Sequence, residues 1–134
     1  MIGAVIITHG RLAGCLIETA SAVTGKTDNI KAVHVEGSDT TDSVRVALST
    51  AIKETNAGDG VIIFTDLFGG TPTNIALPFC SVGDVEVITG VNLPMLFKFI
   101  GHRADMAMAA LAVFLRDCGR ESIVLAGDML KGKQ

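Results

Sequence analysis

The chain has 134 residues, 49% of them hydrophobic, which suits one domain with one core, residues 1–134, with the core expected over 1–126 and a polar tail over 127–134. Its formal charge is −3 and its six aromatic residues are all Phe, so a nucleic-acid partner is not expected: no basic stripe meets a phosphate backbone. No Lys/Arg cluster reads as a membrane-surface patch, and no apolar run approaches the roughly 20 residues of a membrane span.

Ile2–Thr8 is a short apolar run rich in branched residues, as expected of a strand covered on both faces, and it ends in Thr8-His9-Gly10. Its apolar start lacks a basic segment and a cleavage site, so it does not read as a secretion signal. Arg11–Val23 reads as a helix closed near Gly25, and Ile30–Val35 as a second strand. Gly37-Ser38-Asp39-Thr40 supplies a turn and cap candidates, after which Val44, Ala47, Leu48, Ala51 and Ile52 lie on one helical face, ended by the NAGDG stretch at 56–60. Val61–Asp66 is a third strand ending, like the first, in polar residues. A short helix is expected from Pro72, with Thr71 as its cap. Val85–Thr89 is a fourth strand, and a helix begins near Pro94 with Asn92 or Leu93 before it. Ala104–Cys118 is expected as a long helix closed by Gly119, Glu121–Ala126 as a last short strand, and KGKQ as the end of the tail. Cys15, Cys80 and Cys118 are odd in number and widely spaced, and are expected as buried thiols in a reducing cytosol. The whole reads as a soluble cytoplasmic domain.

Strands alternating with helices imply an α/β fold: three layers, αβα, with right-handed crossovers and a parallel central sheet. In the order 2-1-3-4, connections leave the first and third strands in opposite directions, and sites form at such a switch point beyond the strands' carboxyl ends. That crevice brings His9 opposite Asp66. By residue type His9 could be a nucleophile, a general base, a metal ligand or a buried structural imidazole. Its position favours chemistry: Asp66 can hold one ring nitrogen and leave the other's lone pair directed outwards. A metal would need further ligands, and His34 and His102 lie elsewhere, as packed or solvated side chains, so no metal is expected.

The loop LFGGTPTN, 67–74, supplies Gly69 and Gly70 for a tight turn and close approach, then a helix start with free amides, which is a seat for an anion. Neither a G-x-x-x-x-G-K-[ST] nor a G-x-G-x-x-G fingerprint is present, so phosphate without a nucleotide cofactor is the expectation. A histidine, an anion seat and no nucleotide pocket suggest a phosphohistidine charged from another protein.

THG at 8–10, DLFGGTPTN at 66–74, GVNLPML at 90–96 and CGRESI at 118–123 together resemble the IIA domain of the mannose/fructose-type sugar phosphotransferase system, over Met1 to roughly Ala126. The resemblance implies a phosphoryl carrier that receives its group from the phosphocarrier protein HPr, itself charged from phosphoenolpyruvate through enzyme I. It passes the group to a IIB protein, and in this way serves sugar uptake alongside the membrane IIC and IID components, without inserting into the membrane itself. It assigns phosphorylation to His9, orientation of the ring to Asp66, and binding of phosphoryl oxygens to Gly69, Gly70 and Thr71. It also implies a homodimer in which Glu121–Ala126 is exchanged, antiparallel, into the partner's sheet. Many members carry Trp where this chain has Phe68, and Ser-Pro where it has Thr71-Pro72; Phe68 remains an apolar knob for a partner, and Thr71 keeps the hydroxyl. Because the sequence ends at Gln134 without a linker and IIB domain, the expected acceptor is a separate protein. A regulatory module signalling through the phosphorylation state of His9, without transport, is the alternative; the phosphoryl-carrying subunit of a dihydroxyacetone kinase shares the fold, but THG with DLFGGTP favours the sugar branch.

Overall fold

A computed structural model describes residues 1–81 and 83–132. Four strands, β1 (Gly3–His9), β2 (Ile30–Val35), β3 (Val61–Thr65) and β4 (Val85–Ile88), form one parallel sheet in the order β2-β1-β3-β4. The central strands are buried on both sides, as their unbroken apolar runs require, and successive side chains alternate between two cores. Ala4 and Ile6 of β1 with Ile62 and Phe64 of β3 pack beneath α1 (Leu12–Thr24), α4 (Leu93–His102) and α5 (Met108–Glu121). Val5, Ile7 and Ile63 face α2 (Thr41–Thr55) and α3 (Thr71–Ala76) on the opposite side. The result is the expected three-layer fold. By the same alternation Thr8 points to the α1 layer and His9 to the α3 layer.

Local chemistry sets the helix ends. Thr40 caps α2 by accepting from the Ser43 amide at 3.0 Å, and Asn92 caps α4 by accepting from that of Met95 at 3.0 Å. A 3-10 stretch, Leu77–Ser81, follows α3 and leads to β4. Gly3 admits α2 against the sheet: a Cβ there would stand 2.0 Å from the Thr55 carbonyl oxygen.

Several expectations need correction. The long helix starts at Met108 rather than Ala104 and runs through Gly119 to Glu121. Gly119 is a packing residue there, since a Cβ would stand 2.5 Å from Met95 Cε, so it admits α4 rather than ending α5. Glu121–Ala126 forms no strand. A strand needs a hydrogen-bonded neighbour, whereas the Ser122 and Ile123 amides continue the helical turn, bonding to Cys118 and Arg120 carbonyls at 3.0 and 3.3 Å. A short helix, α6 (Ala126–Leu130), takes the end of that expected strand and residues 127–130 of the expected tail; the tail's last residues, 133–134, lie outside the described residues. The cysteines are free, but Cys15 is exposed and Cys80 and Cys118 are half-buried, because Cys15 falls on the outer face of α1.

Candidate functional site

At the carboxyl ends of β1 and β3 the sheet delivers His9 and Asp66 to one another. His9 Nδ1 lies 2.8 Å from Asp66 Oδ2, and the same oxygen accepts from the His9 backbone amide at 3.0 Å. Asp66 Oδ1 accepts from the Leu67 amide at 3.0 Å, so three donors pin the carboxylate. Burial pushes the Asp66 carboxyl upward, but its hydrogen bonds to the His9 side chain and backbone, together with the imidazole's charge, outweigh it, and the net shift is below the ordinary carboxylate value. An ionised Asp66 accepts the Nδ1 proton, so that in the neutral ring Nε2 carries the lone pair, and Nε2 has no hydrogen bond among the described residues. The His9 side chain is 48% exposed and that of Asp66 12%, so the outer nitrogen is reachable while the orienting group is shielded.

The loop after Asp66 brings backbone to the ring. Gly69 adopts φ +93°, a left-handed conformation that favours glycine, and Gly70 lies against the imidazole. Gly70, not Thr71, is the residue before α3; Thr71 opens the helix and Pro72 takes the second position. The reason is the extended backbone of Gly70, whose carbonyl already accepts from the Asn74 amide at 3.0 Å. The amides of Gly69, Gly70, Thr71 and Thr73 and the Thr71 hydroxyl have no hydrogen-bond partner among the described residues. Phe68 is 78% exposed beside them.

Threonines that the sequence reading left unassigned hold this loop. Thr73, fully buried, donates its hydroxyl to the Leu67 carbonyl at 2.6 Å, so the Thr65 hydroxyl, 2.7 Å away, donates to Thr73. Across the crevice, buried Thr8 accepts from the Ala13 amide at 2.8 Å. A hydroxyl between two apolar segments was the only signal of these roles, and its partners become visible only with the tertiary structure. His102 stacks edge-on with Phe114, and His34 accepts from the Gly14 amide; neither bonds to His9 or Asp66. Among the described residues no set of three or more His, Cys, Asp and Glu side chains comes together as a metal site.

A parallel 2-1-3-4 sheet flanked by helices, with paired polar groups at its switch point, defines a three-layer α/β protein, and solved structures share the fold. The phosphotransferase system component EIIA from Streptococcus agalactiae superposes with a TM-score of 0.86 at 24% identity, covering 95% of this chain and 98% of that one. The mannose/sorbose-specific IIA subunit from Enterococcus faecalis gives 0.81 at 23% identity, covering 91% and 92%. At the level of sequence, residues 3–115 match the EIIA-man family model, PTS system fructose IIA component, and the chain belongs to that family. It is 26% identical to the fructose-specific EIIA component of Bacillus subtilis over 98% of its own length and 90% of that protein's. It is 30% identical to the mannose-specific EIIAB component of Escherichia coli, over 91% of this chain but only 38% of that longer protein. No described helix is long and apolar enough to cross a membrane.

Proposed function

We propose that this chain is the phosphoryl-carrying IIA component of a phosphoenolpyruvate-dependent sugar phosphotransferase system, and that it works in the cytoplasm. His9 Nε2 accepts the phosphoryl group from phospho-HPr and yields it to a IIB protein. The observation that carries this reading is the His9–Asp66 bond, 2.8 Å long, which leaves Nε2 unpartnered among the described residues and against a glycine-lined helix start.

The step balances simply. The Nε2 lone pair forms a bond to phosphorus as the donor's P–N bond breaks, and that electron pair returns to the donor's ring nitrogen. The Nδ1 proton stays on His9, and the cationic phosphoimidazolium stands beside the Asp66 carboxylate. Amides of Gly69, Gly70 and Thr71 and the Thr71 hydroxyl receive the phosphoryl oxygens. Such transfer needs in-line positioning and charge stabilisation more than further chemistry. Leaving reverses the same motions towards IIB, and the exposed Phe68 gives donor and acceptor an apolar contact at the rim.

A homodimer accompanies this role. Among the described residues β4 borders only β3, and a groove of about 520 Å³ beside it is lined by Val87, Val113, Arg116 and Ile123. Ile123, Val124 and Leu125 are 80%, 57% and 72% exposed, more apolar surface than a free segment keeps without a partner. The same segment of a second copy, adding antiparallel to β4, would cover both.

Incubation with phosphoenolpyruvate, enzyme I and HPr tests the relay. Wild type should take up one acid-labile phosphoryl group, and His9→Ala none. Label on His9→Ala, or no label on wild type, would overturn the reading.

A further inference from the structure

Two helices begin at the crevice, and their first turns are treated differently. Among the described residues the Thr71 and Thr73 amides of α3 are open, whereas the Ala13 and Gly14 amides of α1 are occupied by side chains. Arg11, the residue before α1, contributes no capping side chain. The Ala13 amide donates instead to Thr8 Oγ1 at 2.8 Å, and the Gly14 amide donates to His34 Nε2 at 3.0 Å. Thr8 and His34 are register partners on β1 and β2, so the two acceptors stand side by side under the helix start. An accepting Nε2 requires the neutral imidazole with its proton on Nδ1.

The glycine makes this contact. A Cβ on Gly14 would stand 3.0 Å from His34 Nε2 and 3.2 Å from Cε1. Glycine within a helix is less favourable than alanine by about 1 kcal/mol, and the space it leaves is what the imidazole fills. One residue along β2, the Val35 carbonyl accepts from the Gly10 amide at 2.9 Å, where the chain turns at φ +57°. Segment 8–14 is therefore tied to β2 at two successive residues, and His9 stands inside the tied segment.

We propose that His34 is a positioning residue for His9. It closes the amino end of α1, holds the strand-to-helix turn that carries His9, and leaves the α3 loop as the open amide-lined seat among the described residues. This rests on the relay reading for its effect on transfer, but not for the cap itself.

The test uses the full chain and three variants. His34→Phe keeps an aromatic ring without the acceptor, His34→Gln keeps an acceptor at similar reach, and Gly14→Ala displaces the ring while favouring the helix. Phosphoryl uptake from phospho-HPr should fall about tenfold in kcat for His34→Phe and Gly14→Ala with KM unchanged, because the docking rim is untouched, and His34→Gln should recover most of it. In 15N spectra His34 Nε2 should be unprotonated in wild type, and the Gly14 amide should exchange faster in His34→Phe. Wild-type kcat in His34→Phe, or a loss that His34→Gln leaves unrepaired, would overturn the positioning role. A Gly14 amide equally protected in wild type and His34→Phe would overturn the cap. Absence of label on wild type would overturn the relay reading instead, so the failures are separate.

Discussion

The His9 imidazole occupies the space that a side chain at position 70 would need: a Cβ on Gly70 would stand 2.7 Å from His9 Cε1 and 3.2 Å from Nε2. Gly70 has φ −90°, open to any residue, so its requirement for glycine is contact with the ring and not backbone freedom. Gly70→Ala should therefore fold with little loss of Tm yet slow phosphoryl uptake by about 10²-fold, as a displacement near 1 Å does at a reacting centre. Gly69→Ala should act on stability first. Its Cβ meets open space, but φ +93° strains an alanine, so stability falls by about 1 kcal/mol or more.

Asp66→Asn should keep the fold and lose the orienting charge. An amide can donate to His9 as readily as accept from it, which frees the wrong tautomer, and transfer should fall by about 10²–10⁴-fold. The same carboxylate gives a pH signature. Its folded pKa lies below the unfolded value, so the native state holds it ionised more readily than the unfolded chain does. That stabilisation is complete above the ordinary carboxylate value and disappears as pH falls through the lowered one. In denaturant titrations the stability gap between wild type and Asp66→Asn should be steady near neutrality and close below about pH 4.

Thr73→Val removes the donor to the Leu67 carbonyl and the acceptor for Thr65, both within a buried region. The expected cost is about 1–3 kcal/mol, visible in the urea midpoint. Transfer should slow as well, because residues 66–70 lose their anchor, and Thr73→Ser should restore both.

How far the sequence anticipated the molecule can be seen at particular residues. β2 has the bounds that its Ile30–Val35 run indicates, and the crevice between β1 and β3 follows from alternating strands and helices. His9 and Asp66 meet there because hydrophobic runs end in polar residues at matched strand ends, a signal carried by pattern alone. Gly119 shows where pattern fails: glycine marks a helix stop in sequence, but here it marks contact with Met95, a fact of packing. Glu121–Ala126 fails for another reason. Branched apolar residues favour a strand only when a neighbour supplies hydrogen bonds, and among the described residues no strand does so. Thr73 and His34 were silent because their partners are separated from them by 6 and 20 residues and meet only after folding.

Ile123→Asp with Leu125→Asp tests the dimer. Burial of these side chains against β4 of a second copy would be worth several kcal/mol, so the double variant should dissociate on the order of 10²-fold more readily. Sedimentation at micromolar concentration should show a dimer for wild type and a monomer for the variant. Identical sedimentation of the two would remove the exchange segment from the interface.

The relay proposed above puts the phosphoryl group on Nε2 of His9, set by Asp66. Heteronuclear NMR of 15N-histidine-labelled protein, charged through enzyme I and HPr, reads the bond directly. One phosphorus should couple to Nε2 of His9, with the Nδ1 proton retained. Coupling to Nδ1, or to any nitrogen of His34 or His102, would contradict it.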